Sequence, residues 1–410
     1  MKSALLSHLP LLLVCLLNLQ PAVGQAQTRV QFEKMRKQMV DEVIVAAGVK
    51  DERVVKAMMD TPRHLFVAAE HRKNAYLDMA LPIGDQQTIS SPFIVAYMTQ
   101  SLDPKPTDKV LEIGTGSGFQ AAVLSPLVKE VYSIEIVEQL GKTAERTLKQ
   151  LGYKNVFTKV GDGYLGWEEH APFDKIIVTC SPEKVPQPLV DQLREGGLLV
   201  VPVGERYSQT LYLMRKKDGK LESEVLLPTL FVPMTGKAED ARLVKPDPAN
   251  PTVVNGSFEE KAFDSGAQPG WYYEKQLSWD APSDAPDGKH VITFNNSRAG
   301  LSAHLLQGFG IDGRQVKQLE ISGMITTKDI VANVAKDEAP LIAITLYDGN
   351  RRPLGNHYVG PVLGDSKWHE IKRTIRIPDN AREGILRIGL FGATGTASFD
   401  KIQFRKIDDR

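Results

Sequence analysis

Three closely spaced glycines follow a predicted strand in the middle of the chain, and this pattern is typical of a cofactor site. The segment Leu111–Val123, LEIGTGSGFQAAV, predicts a buried strand that runs into Gly114, Gly116 and Gly118, with a helix immediately after them. Glycines allow positive φ and a close approach of the backbone to a ligand, and the helix N-terminus presents free N–H groups. The loop therefore predicts a nucleotide-like cofactor at the carboxyl end of this strand.

Two acidic residues help to distinguish among nucleotide-like cofactors. The glycines alone also satisfy the dinucleotide fingerprint, over Gly116–Ala121, so a nicotinamide or flavin cofactor is an open alternative. Glu135 ends the next predicted strand, where its carboxylate can accept hydrogen bonds from both ribose hydroxyls. Asp162 follows the third strand, where its carboxylate or the neighbouring backbone can meet an adenine amino group. These positions favour an adenosine cofactor over a pyrophosphate-containing one.

Several segments of the chain occur in the same order as in a known protein family. With Glu112 two residues before Gly114, the glycine turn and the later acids resemble the Rossmann-like S-adenosylmethionine-dependent methyltransferases. Within that class the chain resembles the protein-L-isoaspartate (D-aspartate) O-methyltransferases over roughly Val30–Lys237, and its QTIS-x-P motif is more family-specific than the glycine loop. The segments are TPRHLFV (61–67), LPIGDQQTISSP (81–92), VLEIGTGSGFQAAVL (110–124), GDGYLGW (161–167), APFDKIIVT (171–179), VPQPLVDQLREGGLLVVPVG (185–204) and FVPMTG (231–236).

This resemblance implies a reaction and a set of site residues. The reaction is methylation, by S-adenosylmethionine and without a metal, of the free carboxylate of an L-isoaspartyl or D-aspartyl residue in a damaged protein or peptide. By the same resemblance Ser90 and Thr88 are the catalytic residues, and Ile89 and Thr235 bind the substrate. The residues that it implies for cofactor binding are Glu112, Gly114, Gly116, Gly118, Glu135, Asp162 and Gly163.

The chemistry of this reaction agrees with the residue types in the motif. A carboxylate is already ionised at neutral pH, so its attack on a sulfonium methyl needs no strong general base. The site must hold nucleophile and methyl group in line and exclude water, which small hydroxyl side chains can do without neutralising the nucleophile. No HExxH or paired-cysteine motif occurs in the sequence.

Two residues of the motif leave questions open. Ser90 stands before Pro92 and an apolar run, so it is also a good candidate for a helix N-cap. Gln86 stands where the resemblance implies a glycine in bacterial relatives (GDQQ here, GQGQ there), which makes the flexibility of this loop uncertain. The segment predicts a loop that leads into a helix.

The surrounding elements alternate between strand and helix and predict an α/β fold. The sequence predicts two helices within residues 29–75 and then alternating strands and helices from Lys109 to Gly204. The last helix of this alternation is predicted over 187–197. Two strands follow without a helix between them. This order predicts a Rossmann-like methyltransferase fold, a mostly parallel, doubly wound sheet with an antiparallel edge. The predicted catalytic domain is 25–240 and the predicted linker is 241–252.

Residues 253–410 lie outside the resemblance and predict a separate domain. Short alternating runs separated by Gly, Pro and Asp are typical of an all-β jelly-roll sandwich, similar to galactose- and carbohydrate-binding modules. Trp271, Trp279 and Trp368 lie here; exposed, they could stack on sugars of a glycan or cell-wall ligand, although sandwich tryptophans are more often core.

Residues 1–24 and the composition bear on location and partners. The sequence predicts a signal peptide, from Lys2, the apolar run Leu11–Leu17 and the small residues of Pro21–Gln27. A signal peptide implies export to the periplasm or outside the cell, without stable membrane insertion. The alternative is a cytoplasmic location, which is usual for the family. Fifty basic residues balance fifty acidic ones, so nothing indicates nucleic acid. Two other functions remain open: an exported, non-catalytic interaction protein on a methyltransferase scaffold, and methylation of another carboxylate.

Overall fold

A computed structural model describes residues 20–261, 263, 266–301, 303–332 and 338–407, with side chains from Arg29 onward. Most of the predicted signal peptide, residues 1–19, lies outside the described residues. The helices are α1 Gln20–Met39, α2 Glu52–Asp60, α3 Pro92–Leu102, α4 Phe119–Leu124, α5 Glu138–Gln150, α6 Gln187–Gln192 and α7 Lys237–Asp240, and a π-helical turn, Val40–Val45, continues α1. The strands before residue 240 are β1 Leu81–Gly84, β2 Gln87–Ile89, β3 Lys109–Ile113, β4 Glu130–Glu135, β5 Val156–Val160, β6 Phe173–Val178, β7 Leu193–Glu205, β8 Ser208–Lys217 and β9 Lys220–Thr229.

Seven of these strands form one sheet in the order β5-β4-β3-β6-β7-β8-β9. The first five strands are parallel, and β8 and β9 add the predicted antiparallel edge. Successive residues of β3 belong to different apolar clusters, Val110 to one and Leu111 to the other, so both faces of the sheet are covered. The strand order reverses at β3, whose carboxyl end is therefore where this class of sheet binds ligands. The predicted Rossmann-like fold is confirmed.

The helix predicted over 187–197 is shorter in the structure. α6 ends at Gln192, and β7 begins at the next residue. The reason lies in the two glycines that follow: Gly196 has φ +75°, and a Cβ on Gly197 would stand 2.9 Å from the carbonyl oxygen of Asp174. The glycines thus form an irregularity in the pairing of β7 with β6 instead of ending a helix.

The predicted loop at residues 81–90 is an antiparallel hairpin made of β1 and β2. Leu81 pairs with Ile89 and Pro82 with Thr88. Asp85 and Gln86 form the turn with φ values of +47° and +63°. Such turns favour glycine or asparagine, because most other residues rarely adopt a backbone conformation with positive φ.

Residues beyond 276 form two antiparallel sheets around a second apolar core. Their orders are β10-β11-β18-β13-β16 and β12-β17-β14-β15, and residues of both, such as Ile321 and Ile342, share one apolar cluster. An all-β C-terminal region is therefore present. The bounds are β10 Leu277–Asp280, β11 Val291–Asn296, β12 His304–Gly310, β13 Gln318–Val331, β14 Leu341–Asp348, β15 Pro353–Val359, β16 Ser366–Arg376, β17 Ala381–Gly389 and β18 Thr394–Ile407.

Candidate active site

A cleft, partly open to solvent, lies at the carboxyl end of β3. Three separate parts of the chain line it: the segment after the β1–β2 turn, the loops after the parallel strands, and the segment after β9. The predicted site residues that line it are Thr88, Ile89, Ser90, Gly114, Gly116, Glu135, Gly163 and Thr235. The remaining three, Glu112, Gly118 and Asp162, lie around the cleft but do not line it.

The first wall of the cleft is the segment Gln87–Ser90, formed by β2 and the residue after it. Helix α3 begins two residues later and adds Val95 and Met98 to the lining. Hydroxyl groups of Thr88 and Ser90 therefore stand beside apolar side chains, which suits the binding of a small polar group in a partly dry site.

Ser90 is not the N-cap of α3. The N-cap position belongs to Ser91, and its side-chain oxygen is buried without a hydrogen-bond partner among the described residues. A distant residue takes the capping role, since the Phe93 N–H donates to Oδ1 of Asp78 at 2.9 Å. A carboxylate there satisfies a free N–H and interacts favourably with the helix dipole. The capping interpretation of Ser90 is therefore wrong in this structure, and its place on the cleft wall needs another explanation.

Glu135 joins the glycine loop to the end of β4. Its Oε2 accepts a hydrogen bond from the Gly116 N–H at 2.7 Å, and its Oε1 accepts one from the Val137 N–H at 2.9 Å. The side chain is largely buried, and burial raises the pKa of its carboxyl group despite these hydrogen bonds. A carboxylate so held at the edge of the cleft can exchange one of these partners for a ligand hydroxyl.

Glu112 lies beneath the glycine loop, with none of its side chain exposed. The Ser133 hydroxyl donates to its carboxyl group, and the hydroxyls of Ser133 and Thr115 are 2.6 Å apart. Burial raises the pKa of the Glu112 carboxyl to about 8, more than the hydrogen bond from Ser133 lowers it. The group is therefore mostly protonated at neutral pH, and it contacts the residues that shape the loop instead of the cleft.

Gly118 and Asp162 hold elements next to the cleft. Gly118 has φ +87° at the start of α4, and a Cβ there would stand 3.1 Å from Leu148 on α5. Asp162 accepts hydrogen bonds from the Tyr164 N–H at 2.9 Å and the Lys237 N–H at 3.1 Å. It thereby connects the loop after β5 to the segment that carries Thr235. Its carboxylate faces these amides, whereas the next residue, Gly163, lines the cleft.

The segment Val232–Thr235 forms a further wall of the cleft. The Ser181 N–H donates to the Val232 carbonyl at 2.8 Å, and the Met234 N–H donates to the Ser181 carbonyl at 2.9 Å. This pairing fixes the segment against the loop after β6. Thr235 is thereby placed on the same cleft as Ser90, although 145 residues separate them in the sequence.

Several lining residues were not predicted from the sequence. Nine of the fifteen lie at or after the carboxyl end of a parallel strand, which is a positional signal that the sequence pattern does contain. Thr179, after β6, donates to the carbonyls of Ile113 at 2.9 Å and Gly114 at 2.7 Å and so braces the glycine turn. The lining residues not predicted are Gln87, Val95, Met98, Ile113, Thr115, Ser117, Phe119, Gln120, Ile134, Ile136, Thr179, Cys180, Val232, Pro233 and Met234.

Cys180 lines the cleft but is poorly suited to act as a nucleophile. Burial, together with the nearby carboxylates Glu135 and Asp162, raises the pKa of its thiol well above the ordinary range. A thiol is reactive only as its thiolate.

The described residues include no group of three His, Cys, Asp or Glu side chains placed to hold a metal. Within the same part of the chain, no helix is both long and apolar enough to cross a membrane.

Comparisons with known proteins match the part of the chain that forms the cleft. The family model for protein-L-isoaspartate(D-aspartate) O-methyltransferase matches residues 34–239. The protein-L-isoaspartate O-methyltransferase of Dictyoglomus turgidum is 49% identical over 207 residues, covering 50% of this chain and 94% of the relative. Protein-L-isoaspartate O-methyltransferase 1 of Syntrophobacter fumaroxidans is 50% identical over 208 residues, covering 51% of this chain and 97% of the relative.

Among solved structures, one from Plasmodium falciparum, assigned as a protein-L-isoaspartate O-methyltransferase and in complex with S-adenosyl-L-homocysteine, is 25% identical with a TM-score of 0.43. It covers 49% of this chain and 98% of its own. The sequence matches span half of this chain and nearly the whole length of each relative. Through residues 34–239, the chain belongs to the protein-L-isoaspartate(D-aspartate) O-methyltransferase family.

Proposed function

We propose that this chain transfers a methyl group from S-adenosylmethionine to the free carboxylate of L-isoaspartyl and D-aspartyl residues in damaged proteins, which initiates their repair. The observation that carries the proposal is the convergence of three walls on one cleft: the hydroxyl-bearing segment Thr88–Ser90, the glycine turn with Glu135, and Thr235. In this proposal the three walls hold the cofactor and the substrate carboxylate in one cleft. The reaction requires this kind of juxtaposition.

The residues on the cofactor side fit an adenosine-containing sulfonium. Gly114 and Gly116 have φ values of +97° and +53°, and a Cβ on Gly114 would stand 2.5 Å from the Thr179 hydroxyl, so the turn stays open only with glycines. Glu135 would accept hydrogen bonds from the ribose hydroxyls, and the backbone at Gly163 would face the adenine. When bound, the cofactor supplies an electrophilic methyl group.

On the substrate side, Thr88 and Ser90 orient the isoaspartyl carboxylate. Their hydroxyls can donate hydrogen bonds that fix its direction while leaving its negative charge in place, which an arginine or lysine would partly neutralise. Apolar lining residues such as Val95 and Met98 reduce the water that would otherwise solvate the nucleophile. The chain thereby contributes orientation and dehydration, and no proton has to be removed from the carboxylate.

The proposal is tested by incubating the full chain with radiolabelled S-adenosylmethionine and an isoaspartyl peptide, with the aspartyl peptide of the same sequence as a control. Transfer to the isoaspartyl peptide alone is expected. Equal transfer to both peptides would indicate methylation of another carboxylate. Absence of transfer, together with absence of cofactor binding in calorimetry, would favour the non-catalytic interaction protein.

We further propose that the chain is exported. The support is the charged, then apolar, then small-residue pattern of residues 1–24. Fractionation of the source cells, followed by N-terminal sequencing of the recovered protein, tests this. Recovery in the periplasm or medium with a new N-terminus near Gly24–Ala26 is expected. Recovery of the intact N-terminus in the cytoplasm would refute export.

We also propose that the C-terminal sandwich, of jelly-roll type, binds a glycan or cell-wall ligand. Two of its tryptophans have structural partners: Trp271 is fully buried, and the Trp279 indole N–H donates to the Phe258 carbonyl at 2.8 Å while its ring stacks on His290. Trp368 is half-buried on β16 and is therefore the better candidate for stacking on a sugar. Pull-down of the full chain on insoluble polysaccharides, compared with Trp368→Ala, tests this; lack of binding to every glycan and cell-wall fraction would refute it.

A further inference from the structure

The C-terminal region contacts both ends of the cleft wall that carries Thr88 and Ser90. The first contact is at Gln86 in the β1–β2 turn, and the second is at Asp78, which caps α3. These two contacts bracket the segment 87–91. Both contacts come from the C-terminal region of the same chain, and their effect on the wall can be argued contact by contact.

The contact at the turn involves the loop between β14 and β15. Nε2 of Gln86 donates to Oδ1 of Asn350 at 3.3 Å, and Arg351 donates to the Gln86 carbonyl at 3.5 Å. The loop itself is held in place, because Asp348 accepts the Asn350 N–H at 2.8 Å and Arg351 pairs with Glu383 at 2.7 Å. Gln86 has φ +63°, a conformation that costs a side-chain-bearing residue about 1 kcal/mol. The two hydrogen bonds with this ordered loop favour that conformation of the turn.

The contact at the helix runs through an ion pair. Lys275, just before β10, pairs with Oδ2 of Asp78, whose other oxygen accepts the Phe93 N–H. The Lys275 ammonium also lies 5.6 Å from the centre of the Phe93 ring. The side chains of Asp78 and Lys275 are 8% and 23% exposed, so water weakens this pair less than a surface pair. Lys275 thus fixes the carboxylate that fixes the start of α3.

We propose that Lys275 is a positioning residue: through Asp78 it holds the start of α3, and with the Asn350–Arg351 loop it sets the geometry of the wall Thr88–Ser90 for the isoaspartyl substrate. The inference rests on the proposed function. Lys275 contacts Asp78 and Phe93, neither of which lines the cleft, whereas the glycine turn, Glu135 and Gly163 form its cofactor side. The effect of Lys275 should therefore fall on the substrate and not on S-adenosylmethionine.

Other contacts keep the two regions together when Lys275 is replaced. The Tyr273 hydroxyl donates to the Leu230 carbonyl at 3.1 Å, the Tyr272 hydroxyl donates to the Tyr207 carbonyl at 2.8 Å, and Arg298 pairs with Glu42 at 2.8 Å. Arg298→Met is consequently a matched control. It also removes an ion pair between the two regions, but neither Arg298 nor Glu42 lines the cleft or contacts its wall segment.

The test compares wild type, Lys275→Met, Lys275→Arg and Arg298→Met in the full chain. For Lys275→Met we expect the KM for an isoaspartyl peptide to rise about tenfold, with the KM for S-adenosylmethionine unchanged within about twofold, because the substrate wall alone is loosened. Lys275→Arg should recover most of the peptide affinity, and Arg298→Met should match wild type. Asn350→Ala, at an exposed position, should raise the peptide KM less and serves if Lys275→Met does not fold.

Hydrogen–deuterium exchange of the peptide covering residues 86–95 gives a readout that does not depend on activity. Exchange should be about tenfold faster in Lys275→Met than in wild type or Arg298→Met, since Asp78, no longer held by Lys275, caps the first turn of α3 less firmly. Equal exchange and equal peptide KM in the Lys275→Met and Arg298→Met variants would overturn the proposal. If wild type methylates no peptide, the proposed function fails, while the exchange comparison still decides whether Lys275 holds the wall.

Discussion

Replacement of Glu112 with glutamine isolates the effect of one buried carboxyl group on stability. Its pKa rises from an ordinary value of 4.5 to about 8 in the folded chain. Because the unfolded chain loses this proton at lower pH than the folded chain, the stability of the folded state falls as pH rises from about 4.5 to about 8. Glutamine has nearly the same shape, can accept the Ser133 hydrogen bond and does not ionise, so it removes this pH dependence.

The magnitude follows from the pKa difference. At 1.36 kcal/mol per pKa unit, the wild-type group costs about 3 kcal/mol of unfolding free energy at pH 7, and most of that cost develops between pH 5 and pH 7. We therefore expect Glu112→Gln to be close to wild type in stability at pH 5 and more stable by a few kcal/mol at pH 7. The difference between the two proteins cancels the contributions of all other titrating groups.

Urea unfolding at a series of pH values measures this difference. Far-ultraviolet circular dichroism is a suitable signal, because the described helices all lie between Gln20 and Asp240 and report on the part of the chain that contains Glu112. Parallel loss of stability by wild type and variant between pH 5 and pH 7 would show that the carboxyl is not held protonated.

The same variant tests where Glu112 acts. Since its side chain does not line the cleft, the Kd for S-adenosylmethionine should change less than about threefold in calorimetry, as expected for a residue without ligand contact. A loss of tenfold or more would instead support the role in cofactor binding that the family resemblance implies.

Three further substitutions address the cleft and its supports. Ser90→Ala should lower kcat/KM for an isoaspartyl peptide about 100-fold while leaving cofactor affinity and Tm near wild type, because Ser90 does not cap α3; a fall in Tm at full activity would contradict this. Glu135→Ala should raise the Kd for S-adenosylmethionine at least about tenfold by calorimetry, since hydrogen bonds to a carboxylate are lost; unchanged affinity would contradict it. Gly118→Ala should destabilise the fold by more than Gly48→Ala in urea unfolding, by about 1 kcal/mol or more, because both positions have positive φ but only Gly118 has Leu148 at 3.1 Å from the added methyl; equal effects would refute the packing argument.

The sequence predicted the alternation of strands and helices well, because buried parallel strands are continuous apolar runs and their helices have a separate periodicity. It predicted that Gly114, Gly116 and Glu135 lie close together for a related reason: each lies at or just after the end of a strand, and these ends must meet at one edge of a parallel sheet. The predicted site roles themselves stay predictions until the substitutions above are made.

Other features could not be predicted because they depend on distant contacts. Nothing local in the sequence indicates that Asp78 caps a helix beginning fourteen residues later, or that Ser91 occupies the N-cap position without using its hydroxyl. The β1–β2 hairpin was not predicted either, since its turn, Asp85–Gln86, lacks the glycine that signals such turns and is supported by Asn350, 264 residues away. In each case the missing information lies in the tertiary structure.

The wide sequence separation of the cleft walls has a consequence for synthesis on the ribosome. The wall at Thr88–Ser90 is made early, but its partner at Val232–Thr235 follows only after the parallel sheet and its antiparallel edge have been translated. Lys275 and Asn350, which contact the first wall, emerge later still. A nascent chain therefore exposes an incomplete cleft until more than half of it has been made, and ligand binding can stabilise the domain only after that point.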